Sequence, residues 1–139
     1  MSGKIDKQGT SSRIIGEIDA ALRPVSMNGA GAAEATFSFG EDFSGFQGHF
    51  PAKKVLPGVC QIQCVLALLG RWQDTDARLR EITNVKYVLP VFPGDVVTCK
   101  IISLKELGDG LFNLKASMLK GTERVSDFRL KAWLGRSGR

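Results

Sequence analysis

The sequence predicts an α+β fold in which one long buried helix precedes a set of antiparallel strands. Three observations carry this reading: an apolar run of helical length, a succession of strand-like segments after it, and turn residues that join those segments into hairpins. The chain has 139 residues, 43% hydrophobic and 24% charged. That size and balance suit one domain with one core and argue against wholesale disorder, collagen-like or solenoid architectures.

The helix is read at residues 57–72, PGVCQIQCVLALLGRW. Pro57 stands where a helix start tolerates proline, and the run is long enough for four turns. Val59, Ile62, Val65, Leu66, Leu68 and Leu69 spread over several faces, so other structure must surround it, as a sheet wrapped around a central helix would. Only Gln61 and Gln63 interrupt the apolar surface. After Asp74-Thr75-Asp76 the pattern changes to strands at 79–89, 96–107, 111–120 and 124–134. Gly108-Asp109-Gly110 and Gly121-Thr122 are hairpin signals between successive pairs, giving a helix followed by a meander. In the last strand Phe128, Leu130, Ala132 and Leu134 alternate with Asp127, Arg129, Lys131 and Trp133, one face buried and one wetter.

Ahead of the helix the signals are weaker. Residues 1–12 are polar and flexible in character, residues 13–135 form the single domain, and 136–139 make a short basic tail with Arg136 and Arg139. Residues 14–22 suit either a short strand or a helix, ended by Pro24, and the Gly-Ala-rich stretch 28–33 reads as a loop. Residues 35–39 alternate in the manner of a half-buried strand, which Gly40-Glu41-Asp42 closes.

Composition narrows the function. Three cysteines, Cys60, Cys64 and Cys99, are too few for a disulfide framework, and with a single histidine they make no zinc site of familiar spacing. Free thiols in a reducing compartment are expected, with Cys60 and Cys64 as small packing residues on one helix face. No apolar stretch approaches membrane-spanning length and the first dozen residues lack a secretory core, so a cytoplasmic location without membrane insertion is expected. The net charge of +5 favours an acidic partner. The basic residues are scattered and little interleaved with aromatics, so no nucleic acid is expected. Neither a metal constellation nor a phosphate-cradling glycine loop is present, so neither a metal nor a nucleotide cofactor is expected.

The chemistry concentrates in Phe46-Gln47-Gly48-His49-Phe50-Pro51 and the Leu56-Pro57-Gly58-Val59 that opens the helix. Two glycines and two prolines frame the lone imidazole, next to a helix N-terminus whose N–H groups point outward. Such N–H groups polarise a carbonyl oxygen, and a thioester held by the N–H of Gly58 has an acidified α-carbon. His49 can take that proton and return it, which suits reversible elimination or hydration at a β-carbon. The plainer alternative is a histidine whose ring only bonds a backbone carbonyl.

Gly48-His49-Phe50-Pro51 with Leu56-Pro57-Gly58-Val59 resembles the signature of the β-hydroxyacyl-acyl-carrier-protein dehydratases, and residues 87–95, YVLPVFPGD, are similar to that family's aromatic-x-x-Pro-Val-x-Pro-Gly-Asp turn. The resemblance spans about residues 35–134 and implies the hotdog fold, an antiparallel sheet wrapped around one long helix. It implies a (3R)-hydroxyacyl-thioester dehydratase of fatty-acid, lipid or polyketide synthesis, with the acyl chain on phosphopantetheine of an acyl carrier protein or coenzyme A. It also implies a homodimer or higher homo-oligomer whose site lies at the interface, with His49 and Gly58 catalytic. Phe46, Phe50, Pro57, Val59 and Tyr87 are then the residues expected to line the acyl pocket, and Lys53, Lys54 and Arg71 the basic residues nearest its mouth.

The match departs at one position. The family's catalytic acid stands on the helix fourteen positions after the histidine and works opposite it across the dimer; here that position is Gln63. An amide cannot supply the proton that a departing β-hydroxyl needs at neutral pH. Three arrangements follow: a dehydratase in which His49 is base and, through water held by Gln63, also acid; a hotdog thioesterase or isomerase; or a catalytically weak module that binds acyl thioesters. Glu41, Asp42 and Glu81 are the carboxylates considered as substitutes.

Overall fold

The computed structural model describes residues 12–23, 25–27, 32–46 and 54–135. The elements in chain order are helix α1 (Ser12–Ala21), strands β1 (Ser26–Met27) and β2 (Ala33–Ser38), a 3-10 turn (Ser44–Phe46), helix α2 (Gly58–Gln73), and strands β3 (Ala77–Tyr87), β4 (Val96–Gly108), β5 (Leu111–Lys120) and β6 (Glu123–Leu134). The ambiguous segment 14–22 is therefore helical, and the strand expected at 35–39 starts earlier, at Ala33, inside the stretch read as a loop. The polar ends expected at 1–12 and 136–139 fall outside the described residues, apart from Ser12, which begins α1.

The strands form one antiparallel sheet in the order β1-β2-β4-β5-β6-β3. Both hairpins form where the turn residues stood. Asp109 and Gly110 both have positive φ, 55° and 82°, the mirror-image turn that matches strand twist, and Gly121 at φ 60° opens the next turn. The simple meander needs one correction: β3 pairs with β6, not with β4, so α2 and β3 run across to the far edge before β4 returns beside β2. Bulges on β3, β4 and the β5–β6 pair bend the sheet.

The curved sheet encloses α2, whose Cys64, Val65, Leu68 and Leu69 are inaccessible. Phe37, Ile101, Leu114, Met118, Phe128 and Leu130 project into the same core from β2, β4, β5 and β6. The alternation expected in β6 is observed, with Phe128, Leu130, Ala132 and Leu134 buried. All three cysteines are buried and free. No described helix is long and apolar enough to cross a membrane.

Candidate active site

The start of α2 is fixed from two sides. The Leu56 N–H donates to the Val91 carbonyl at 2.8 Å, tying the chain before the helix to the β3–β4 connection. Pro57 then caps the helix with an extended backbone and no side-chain cap, and its carbonyl accepts from the Cys60 and Gln61 N–H groups at 3.0 and 3.2 Å. The N–H groups of Gly58 and Val59 precede the first intrahelical donor, Cys60, and carry the positive end of the helix dipole.

A cavity of about 360 Å³ opens at this point, lined by residues of 55–58, Gln61 and residues of 87–90. Tyr87 stands against Gly58 so closely that a methyl group on Gly58 would collide with the Tyr87 hydroxyl. Only glycine leaves the phenol in this position, since any side chain here would have to push the Tyr87 ring aside. The Tyr87 ring meets Phe128 edge-on with centroids 6.0 Å apart, and burial pushes its hydroxyl pKa up. Deeper in the cavity lies Gln61, 3% exposed, whose Oε1 accepts a 2.7 Å hydrogen bond from the fully buried Ser126 hydroxyl.

The Pro-Val-x-Pro-Gly-Asp turn shapes the other wall. The Asp95 carboxylate accepts the Phe92 N–H at 2.8 Å and the Lys120 ammonium at 3.2 Å. The Phe92 N–H above all, with the hydrogen bond and charge of Lys120 beside it, holds its carboxyl below the usual range against the opposing effect of burial. Lys120 also donates to the Pro90 carbonyl at 2.9 Å, and the Gly94 N–H bonds the Phe39 carbonyl at 2.8 Å. The motif is thus a clamp that holds 88–90 against the cavity.

Of the residues singled out in the sequence, Pro57, Gly58 and Tyr87 come together around this cavity. Phe46 packs edge-on against Phe43, 5.4 Å between centroids, in an aromatic cluster that continues to Phe39 and away from the cavity lining. Val59 is 36% exposed, turned outward from the first turn of α2. Gln63 is buried and lines a second cleft, with α1 and the C-terminal half of α2. His49, Phe50 and Lys53 lie outside the described residues.

Lys54 donates to the Glu41 carbonyl at 3.3 Å. Arg71 does not stand at the mouth as expected: it sits about 20 Å along the helix from Gly58 and pairs with Asp19 at 3.3 Å. None of the candidate carboxylates lines the cavity. Glu41 and Asp42 are exposed after β2, and Glu81 pairs with Lys131 at 3.8 Å on the sheet. The sequence marks Gln61 only as an interruption of the apolar helix and gives Ser126 no role. The spacing of Gln61 from Gly58, one helical turn, was a readable signal, but its pairing with a serine sixty-five positions away was not.

Residues 26–125 match the model of the ApeI-like family, described as ApeI dehydratase. The chain belongs to this family. Within the wider group of thioester dehydratases, the ApeI-like chain is 33% identical over 102 residues to the 3-hydroxyacyl-acyl-carrier-protein dehydratase FabZ of Helicobacter hepaticus, covering 64% of this chain and 60% of that one. It is 32% identical over 100 residues to FabZ of Bartonella bacilliformis, covering 66% and 64%. The match therefore spans under two thirds of either relative's length. Among solved structures it resembles the dehydratase heterocomplex ApeI:P from Xenorhabdus doucetiae, with TM-score 0.63 and 21% identity over 81% of this chain and 96% of that one. It also resembles the E. coli PaaI protein from the phenylacetic acid degradation operon, with TM-score 0.60 and 16% identity over 88% and 93%. These two likenesses show the shared α+β hotdog fold.

Proposed function

We propose that the protein removes water from a (3R)-hydroxyacyl thioester of fatty-acid or related lipid synthesis, carried on the phosphopantetheine arm of an acyl carrier protein or coenzyme A. The observation that carries the reading is the uncapped start of α2, at Gly58, opening on an apolar cavity inside the region that matches the family. A thioester oxygen at the Gly58 N–H is polarised by the helix N-terminus, which acidifies the α-carbon. His49 takes the α-proton. The β-carbon–oxygen bond then breaks, and the departing hydroxyl receives a proton from the imidazolium through a water held by Gln63, leaving an enoyl thioester, water and neutral His49.

In the dehydratases that the chain resembles, histidine and acid meet across a dimer. The placement of Gln63 on a face of α2 away from Gly58 supports such an arrangement, in which one chain's Gln63 serves the site of a second chain. The eleven-residue edge strand β3 supports it further, because an edge of that length is a template for pairing with another copy.

One observation favours a second reading. No carboxylate is found among the described residues lining the cavity, which suits a module that binds acyl thioesters, or one whose acid comes from a different partner chain, as a heterocomplex like that of the X. doucetiae neighbour would allow. The test is a dehydration assay with short and medium (3R)-hydroxyacyl chains on carrier protein and on coenzyme A, following enoyl absorbance. Turnover by the unmodified protein that His49→Ala abolishes is the expected result. A silent protein that Gln63→Glu awakens would establish the second reading instead.

A further inference from the structure

Among the described residues lining the cavity beside Gly58, two have polar side chains, Gln61 and Tyr87. Tyr87 is 47% exposed and stands at the rim, whereas Gln61 is 3% exposed. A carboxamide so deeply buried is costly unless its polar atoms are engaged. One is engaged by design of the fold: the Ser126 hydroxyl, itself inaccessible, donates to Gln61 Oε1 at 2.7 Å. The oxygen thus faces Ser126, and this bond sets the amide plane. The Nε2 end, a donor of two protons and an acceptor of none, is what Gln61 can present to a ligand.

Its position along the helix is informative. Gln61 follows Gly58 by three residues on the same face, about 4.5 Å deeper, and helical side chains lean back towards the N-terminus. An acyl chain whose thioester oxygen sits on the Gly58 N–H and which runs into this cavity passes Gln61. Leu56 and Leu89, which line the same cavity, offer no competing polar side chain.

We propose that Gln61, keyed by Ser126, is the specificity-determining residue that donates a hydrogen bond to the β-oxygen of the acyl chain, so that the cavity selects 3-oxygenated chains over unsubstituted ones. Ser126 is the positioning residue that turns the amide the right way. This rests on the thioester reading above and goes beyond it, because it assigns substrate selection to a residue other than His49, Gly58 or Gln63. A site built to hydrogen-bond an oxygen rejects the analogue that lacks it, since the buried donor is then left unpaired.

The test measures binding of two pantetheine amides, 3-hydroxyoctanoyl and octanoyl, in which an amide replaces the reactive thioester, to the full chain and to Gln61→Met and Ser126→Ala. Methionine keeps the length of glutamine and removes both polar atoms, and thermal melting checks that each variant is folded. The wild type is expected to prefer the hydroxylated probe about tenfold or more, Gln61→Met to bring the ratio near one, and Ser126→Ala to lower the ratio. A merely structural role would weaken both probes alike and leave the ratio untouched. Selectivity that persists in Gln61→Met, or a wild-type ratio near one, overturns the inference while dehydration by the wild type still stands. If neither probe binds and no hydroxyacyl thioester is dehydrated, the thioester reading falls, and this inference with it.

Discussion

At the scale of single residues, Gly58 carries two requirements at once. Its N–H opens the helix, and its missing side chain makes room for the Tyr87 hydroxyl. In Gly58→Ala the new methyl meets the far end of a half-exposed side chain rather than backbone, so the ring can swing aside. Overpacking of this kind costs about 1–3 kcal/mol, measurable by urea unfolding, and the displaced phenol narrows the cavity. The variant is expected to fold while losing most thioester binding, and Tyr87→Ala in the same chain to restore the stability but not the native pocket. Wild-type binding in the single variant would remove Gly58 from the site.

The cysteines show the opposite character. Burial pushes the Cys60 thiol up to about 11 and the Cys99 thiol up to about 12, and raises Cys64 as well, with its neighbours Cys99 and Cys60 adding to the effect. Thiolate is the reactive form, so a chromogenic disulfide reagent at pH 8 is expected to titrate no thiol in the native protein within minutes and all three once it is denatured. Rapid labelling of the native chain would show that the core between α2 and β4 opens readily.

Among elements, the contact between α1 and the turn before the histidine segment has a single pivot. Glu17 on α1 accepts the Ser44 N–H at 2.9 Å and the Ser44 hydroxyl at 2.5 Å, with Arg13 donating at 3.2 Å. Burial by itself raises the Glu17 pKa, but the two Ser44 donors and Arg13 together outweigh it and hold the carboxyl below its ordinary 4.5. A depressed folded-state pKa means stability that is present above the ordinary value and lost as pH falls through the folded one. Glu17→Ala is thus expected to cost about 1–3 kcal/mol at pH 7, and the difference between wild type and variant to shrink below about pH 4.5. Unfolding midpoints at pH 7, 5 and 3 check this; a gap that stays constant with pH would mean that the carboxylate charge contributes nothing.

That pivot also marks how far the sequence could be read. The central helix and the β4–β5 and β5–β6 hairpins were legible because their signals are local: an all-round apolar run, Asp109-Gly110 and Gly121-Thr122. The pairing of β3 with β6 was not, since it joins Ala77 to Leu134 and Tyr87 to Ser126 across the intervening strands. The nature of α1 was undecided because ten residues, with burial centred on Ile18, fit either period until Glu17 finds Ser44. At the site the same division holds. Gly58 and Tyr87 came from motif residues, while Gln61 acquires meaning only through Ser126, on a strand far along the chain.

For the whole molecule the decisive feature is the inequality of the two sheet edges. One edge is β1, two residues long; the other is β3, eleven residues, with no further strand beside it among the described residues and with its middle residue, Ile82, 45% exposed. A long edge with an exposed apolar residue invites pairing with another strand, in the regular segments that the bulges of β3 leave. Two copies of β3 running antiparallel about a two-fold axis would place that axis near Ile82, so that the residue meets its own counterpart. Ile82→Glu then sets two carboxylates close together, and like charges across a strand pair are destabilising, whereas Ile82→Val keeps the apolar contact. Sedimentation at micromolar concentration is expected to show a dimer for the wild type and Ile82→Val, and dissociation to monomer for Ile82→Glu. The proposed site needs Gln63 from one chain opposite His49 of another, so specific activity should fall with the dimer in Ile82→Glu and recover as protein concentration rises. A monomeric wild type with full activity would sever the site from the interface, because every group needed for turnover would then have to come from one chain.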